Sequence, residues 1–147
     1  MRYWEDFAVG DVTELDEVVV TEAEIIEFAE RYDPQPFHID PAAAKDGPFG
    51  GLIASGWHTA AVFMSIFVRG ILLDSASMGS PGVDQLRWTA PVRPGDRLRG
   101  RVTVTDAQPS ATNPKRGTIF TTSEVFNQDD VLVMRMQARG FFARRAA

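Results

Sequence analysis

The run from Leu52 to Val68 carries no formal charge when His58 is neutral. Wound as a helix it is apolar on every side, with Leu52, Ile53, Trp57, Ala60, Ala61, Val62, Phe63, Met64, Ile66, Phe67 and Val68 spread around the axis. A helix of that kind lies either in a membrane or inside protein. A membrane span needs about 20 apolar residues. This run is shorter and is interrupted by Ser55, Gly56, His58, Thr59 and Ser65. The expectation is therefore no membrane span and a long central helix that the rest of the chain must cover.

The residues that follow can supply the cover. Val83 to Thr89 is strand-like, and Arg97 to Thr105 alternates Leu98, Val102 and Val104 against Arg97, Arg99, Arg101, Thr103 and Thr105. Thr118 to Phe126 is β-rich, Asn127 to Asp130 reads as a hairpin turn, and Val131 to Phe142 alternates again. Pro91-Val92-Arg93-Pro94-Gly95-Asp96 reads as a turn. A chain of 147 residues suffices for one such core. The predicted class is α+β: a single domain over 1–147, its long buried helix wrapped by an antiparallel sheet of about five strands.

Ahead of the helix, Val12 to Val20 reads as one strand. Thr21-Glu22-Ala23-Glu24 reads as a capping box that opens a helix with Ile25, Ile26, Phe28 and Ala29 on one face. That helix must stop at Asp33, before Pro34. The segment Tyr32-Asp33-Pro34-Gln35-Pro36-Phe37-His38-Ile39-Asp40-Pro41 holds three prolines, which predict stiff, extended backbone with no helix. It presents a carboxylate, Asp33, and an imidazole, His38, the side chains best suited to moving protons near neutral pH. From these residues alone a local hydrogen-bonded turn and a proton-transfer pair are both open. A metal site on Asp33, His38 and Asp40 is the weaker reading, since no zinc-type spacing accompanies it.

Charge and composition narrow the partners. The net charge of −5 and pI near 5.0 leave no electrostatic footprint for nucleic acid. The absence of cysteine excludes thiol catalysis and fits a reducing cytoplasm, the expected location. Met1 to Phe7 lacks the apolar core of a signal peptide. Arg97, Arg99 and Arg101 form a stripe that reads as the solvated face of a strand rather than a phosphate site. The basic tail Arg139 to Arg145 reads as a fraying strand end.

The proline segment resembles the signature of the MaoC-like dehydratase family, the (R)-specific enoyl-CoA hydratases of hot-dog fold. That signature runs Gly-Asp-x-Asn-Pro-aliphatic-His-x-Asp ahead of a buried helix, and Asp33, Pro36, His38 and Asp40 match it in place. Leu52 to Trp57 looks like the start of the family's central helix, and Pro91 to Asp96 like its late turn. The likeness covers roughly Phe7 to Phe142. Tyr32, Gln35 and Phe37 depart from the pattern, Ser55 stands where many members have histidine, and Met64 falls near a serine of some members.

The resemblance implies reversible hydration of a 2-enoyl-CoA to a 3-hydroxyacyl-CoA, with Asp33 and His38 as the proton-transfer pair through one bound water. It implies no cofactor beyond the coenzyme A thioester itself, and a homodimer or dimer of dimers. Gly56, at the head of the buried helix, has an N–H suited to the developing oxyanion; from local sequence a packing glycine is equally open. Gly56→Ala, which keeps that N–H, is expected to be much milder than Gly56→Pro if φ there is negative. Gln35, Phe37, Phe49, Ser55 and Trp57 are the expected substrate contacts, although aromatic residues beside a buried helix are core by default. His58 reads as a core or interface histidine. Two rivals share the ligand. A hot-dog acyl-CoA thioesterase would need a carboxylate on the central helix, which Leu52 to Val68 lacks; a non-catalytic acyl-CoA-binding subunit would need no chemistry at all.

Overall fold

A computed structural model of the chain describes residues 1–146. Six strands form one antiparallel sheet: β1 (Val12–Glu14), β2 (Val18–Val19), β3 (Gly82–Trp88), β4 (Arg97–Pro109), β5 (Arg116–Phe126) and β6 (Leu132–Ala143). The order is β1-β4-β5-β6-β3, with β2 also on β4. The helix α4 (Gly56–Gly70) lies against this sheet, as the hot-dog expectation requires. Phe63 and Ile66 of α4 join Leu98, Val102, Val104, Ile119, Val125, Val133 and Met134 in one core. Gly100 lets the helix approach, because a Cβ there would meet Leu15, Ile66 and Phe63 at 3.0, 3.3 and 3.5 Å.

The predicted strand over Val12 to Val20 is two pieces. Glu14 pairs with Arg101 and Val18 with Leu98, so the chain carries one extra residue between them. Leu15 turns into the core there while its N–H still reaches the carbonyl of Gly100 at 2.8 Å. Such a bulge is the usual device for bending an edge strand.

The helix α1 (Glu22–Tyr32) starts on Thr21, whose Oγ1 accepts from the Glu24 N–H and donates to the Glu24 carboxylate. It ends with Asp33 N–H on the carbonyl of Ala29. The prediction of no helix beyond this point is overturned. α2 (Pro36–Ile39) and α3 (Pro41–Lys45) are short helices, each opening on proline. At the first helical position the missing N–H costs nothing and the fixed φ suits the turn. Gln35 and Asp40, each before a proline, are extended as expected. The Asp40 carboxylate accepts from Ala42 and Ala43 N–H and so caps α3.

α4 begins later than the apolar run does. Leu52 to Ala54 run extended and buried, with Ile53 N–H on Phe37 O (3.0 Å) and Ala54 N–H on Val92 O (2.8 Å). Ser55 then caps the helix by accepting from Trp57 N–H. Gly56–Asp74 is long and apolar enough to cross a membrane by length and composition; here it packs its Phe63–Ile66 face on the sheet. The opposite flank is uncovered within one chain, with Trp57 60% and Met64 45% exposed.

Two further expectations are settled by ion pairs. Arg97 meets Glu17, Arg99 meets Asp130 and Arg101 meets Glu14 on an open strand face, so the stripe is neutralised. The basic tail is held rather than frayed, Arg145 making a two-pronged pair with Asp6 at 2.7 Å and Arg144 reaching Glu5.

Candidate active site

α1 ends, α2 turns and α4 starts within one neighbourhood, and this brings Asp33, His38, Ser55 and Gly56 together. His38 sits on α2 and is 4% exposed. Its Nδ1 lies 2.7 Å from the carbonyl oxygen of Ile53. A carbonyl only accepts, so Nδ1 carries the proton in this pair, and the other nitrogen of the neutral ring is left with its lone pair. That nitrogen, Nε2, lies 3.3 Å from Asp33 Oδ2. Two acceptors thus face each other across a short gap, an arrangement that calls for a shared proton or for a water donating to both.

The carboxylate is fixed by two donors. Ser55 Oγ donates to Oδ2 at 2.7 Å and the Gln35 amide donates to Oδ1 at 2.8 Å. Burial alone would raise the proton affinity of Asp33. The Gln35 and Ser55 hydrogen bonds, joined by the His38 charge when that ring is protonated, outweigh burial and hold the group below the ordinary carboxylate value of 3.8. Asp33 is therefore ionised at neutral pH. Ser55 does two jobs at once, since its oxygen also caps α4.

His38 opens into a cleft of about 350 Å³ shared with Phe37, Phe49, Ile53, Gly56, Thr59 and the segment Trp88 to Val92. Gly56 is the first residue of α4 and its N–H finds no acceptor among the described residues, as expected at a helix start. A Cβ on Gly56 would lie 2.3 Å from Trp88 Cδ2 and 2.4 Å from Cε2. These are the ring-fusion carbons, so the face of the indole lies over Gly56. Trp88 reaches this place through a bulge in β3, where Asp84 pairs with Gln137 but Arg87 already pairs with Arg135. Gln85 carries the bulge at φ 50.

Of the expected substrate contacts, Phe37 and Phe49 line the cleft, their rings 5.2 Å apart. Gln35 and Ser55 serve Asp33 instead, and Trp57 stands outside, edge-on to Trp88. Trp88 and the Ile53 carbonyl were not anticipated. Neither had a local signal, because each meets its partner only through the fold. His58 is 6% exposed, stacks on Phe28 at 4.9 Å and leaves Nδ1 without a partner among the described residues; it is a packing histidine between α4 and α1. A second cavity of about 300 Å³ lies further along α4, between Met64, Phe67, Ile71 and the sheet. It contains neither Asp33 nor His38 and shares no lining residue with the cleft.

The chain is similar over nearly its whole length to a MaoC-like dehydratase from Rhodospirillum rubrum of known structure, at 41% identity and TM-score 0.91, covering 99% of each chain. It resembles the (R)-hydratase from A. caviae involved in PHA biosynthesis at 26% identity and TM-score 0.73, covering 92% of this chain and 97% of that one. The 3-hydroxyacyl-thioester dehydratase Z of Mycobacterium tuberculosis is 32% identical over 125 residues, 80% of either chain. Residues 6–125 match the model of the MaoC like domain. The chain is therefore a member of the MaoC-like family of hydratases and dehydratases, built on the hot-dog fold.

Proposed function

We propose that this protein hydrates a 2-enoyl thioester reversibly to the 3-hydroxyacyl thioester, with Asp33 and His38 as its proton-transfer pair. The observation that carries this is the pair of facing acceptors, Asp33 Oδ2 and His38 Nε2, 3.3 Å apart beside an open cleft. One water donating a hydrogen to each would present its oxygen lone pairs to the cleft. His38 Nε2 takes one of its protons as the oxygen bonds to C3 of the enoyl group. The imidazolium formed is stabilised by Asp33 on one side and the Ile53 carbonyl on the other. The C2–C3 π electrons move onto the thioester oxygen, where the Gly56 N–H at the positive end of α4 meets them. The proton on His38 then passes to C2, and the thioester carbonyl re-forms. Atoms and charge balance without a cofactor, and dehydration is the same path reversed. Coenzyme A is the carrier we assign to the thioester.

The assembly we infer is a homodimer. β3 is an edge strand with its outer side unpaired among the described residues; exposed Trp57 packs against exposed Trp88, and exposed Met64 and Val83 line one cavity between α4 and the sheet. An apolar flank of that extent marks an interface.

The test is addition of protein to crotonyl-CoA. Hydration removes the ultraviolet absorbance of the conjugated thioester without freeing thiol. Thiol release would identify a thioesterase, and retention of both absorbance and thioester would identify a binder.

A further inference from the structure

The cleft opens at a rim made by the turn after β3 and the loop 47–51. Arg93 stands on the first and reaches the second. Its Nη2 donates to the carbonyl of Phe49 at 2.7 Å. A Cβ on Gly51 would come within 3.5 Å of its Nη1, so the guanidinium lies along the backbone of that loop. The base of the side chain is equally fixed. Arg93 N–H donates to the buried Asp96 carboxylate at 2.9 Å, Asp96 also accepts from Gln128 at 3.0 Å, and Gly95 closes the turn at φ 85. Phe49 on one side and Pro91 and Val92 on the other are themselves cleft residues. The arginine is thus bound to the wall of the site while remaining exposed to solvent.

Its charge is uncompensated. Arg97, Arg99, Arg101, Arg139, Arg144 and Arg145 each meet a carboxylate. Among the described residues no carboxylate lies within 4.0 Å of the Arg93 guanidinium; the same holds of Arg2, Arg31, Arg69, Arg87, Arg116 and Arg135, but of these Arg93 is the one whose guanidinium bonds a cleft residue, Phe49. The chain as a whole carries −5, which repels a polyanionic substrate at long range. A fixed cation at the mouth offsets that repulsion where it matters, and the guanidinium fork suits phosphate oxygens better than any other side chain.

We propose that Arg93 binds a phosphate of the carrier that bears the thioester. This rests on the hydratase reading above and adds to it the group that recognises the non-reacting end of the substrate. The phosphate on pantetheine is common to coenzyme A and to a carrier protein's prosthetic arm, whereas the nucleotide phosphates belong to coenzyme A alone.

The experiment compares wild type and Arg93→Gln on crotonyl-pantetheine, crotonyl-4′-phosphopantetheine and crotonyl-CoA. With crotonyl-CoA the variant's KM should rise about tenfold at unchanged kcat, the effect of losing one charge-assisted contact. With crotonyl-pantetheine it should not change. A rise with both phosphorylated substrates places Arg93 at the phosphate the two carriers share, and a rise with crotonyl-CoA alone places it at the nucleotide phosphates. An equal rise on all three thioesters would mean that Arg93 only ties the Phe49 loop to the turn, and the proposal fails; so does no change on any. Calorimetric binding of free coenzyme A reads the same contact without turnover, with about tenfold weaker binding expected in Arg93→Gln. Should wild type hydrate none of the thioesters, the hydratase reading falls, and the calorimetric comparison still decides Arg93.

Discussion

Asp33 and His38 were legible as chemistry because the chain places a carboxylate and an imidazole on one short, proline-braced segment. What makes them a pair was not legible. The proton on His38 is assigned by a backbone carbonyl 15 residues away, and the carboxylate is held by Ser55 from the head of another helix. We expect Asp33→Asn and His38→Gln each to lower kcat by roughly two to four orders of magnitude with unchanged circular dichroism. Gly56 corrects a simpler expectation. Alanine there was expected to be much milder than proline, but its Cβ would sit 2.3 Å from the Trp88 indole. Gly56→Ala should therefore destabilise the protein, by about 1–3 kcal/mol as overpacking does, and that cost should vanish when the same change is made in a Trp88→Ala background. The Trp88→Ala background also permits the test of the N–H itself. There Gly56→Pro should be about ten- to a thousandfold slower in kcat than Gly56→Ala, the range for one lost oxyanion donor. Equal rates in the two double variants would remove Gly56 from the mechanism.

Among the elements, the strands were read well because alternation between core and solvent survives in sequence. Leu98, Val102 and Val104 of β4 are all buried, as their spacing predicts. Gly56 was placed at or near the start of α4 and is its first residue, but the apolar run ahead of it was read as part of the same helix, because such a run looks the same whether it is wound or extended. Leu52 to Ala54 are buried as an extended strip, and only the Ser55 cap marks the change. The contact of α4 with α1 carries its own pH dependence. His58 is pressed on Phe28, and burial pulls its pKa below 6.5, with the Glu24 charge acting the other way. In the unfolded chain the ring titrates near 6.5. The native state therefore binds fewer protons, so stability is full above that value and falls as pH drops below it. We expect the melting temperature of wild type to fall between pH 7.5 and 5.5, and His58→Leu to flatten part of that slope. Identical slopes in wild type and variant would show that His58 does not contribute.

At the scale of the molecule, one chain encloses only part of its central helix. The sequence showed α4 to be apolar on every side, and the fold covers the face that bears Phe63 and Ile66 while Trp57 and Met64 remain open. Sequence periodicity could say that a cover was needed but not whose. We expect light scattering at micromolar concentration to give at least twice the chain mass of 16.2 kDa. Charged substitutions on the open flank, Met64→Glu with Val83→Glu, should shift the protein toward monomer. A stable monomer of the unaltered chain would remove the dimer.

The bulge in β3 has a consequence for how this strand tolerates change in length. Before Gln85 the strand is in one phase, with Asp84 beside Gln137; after it the phase is reversed, so that Trp88 shares the face of buried Met134. Straightening the bulge at constant length would place Arg87 opposite Met134 and turn the indole to the outside, whereas loss of one residue between Asp84 and Trp88 would give a regular strand that still sets Trp88 opposite Met134. An edge strand is ordinarily where a chain absorbs insertions and deletions at little cost. Here the face of one site residue depends on the bend at Gln85, so β3 admits loss of its extra residue more readily than loss of the bend with its length kept.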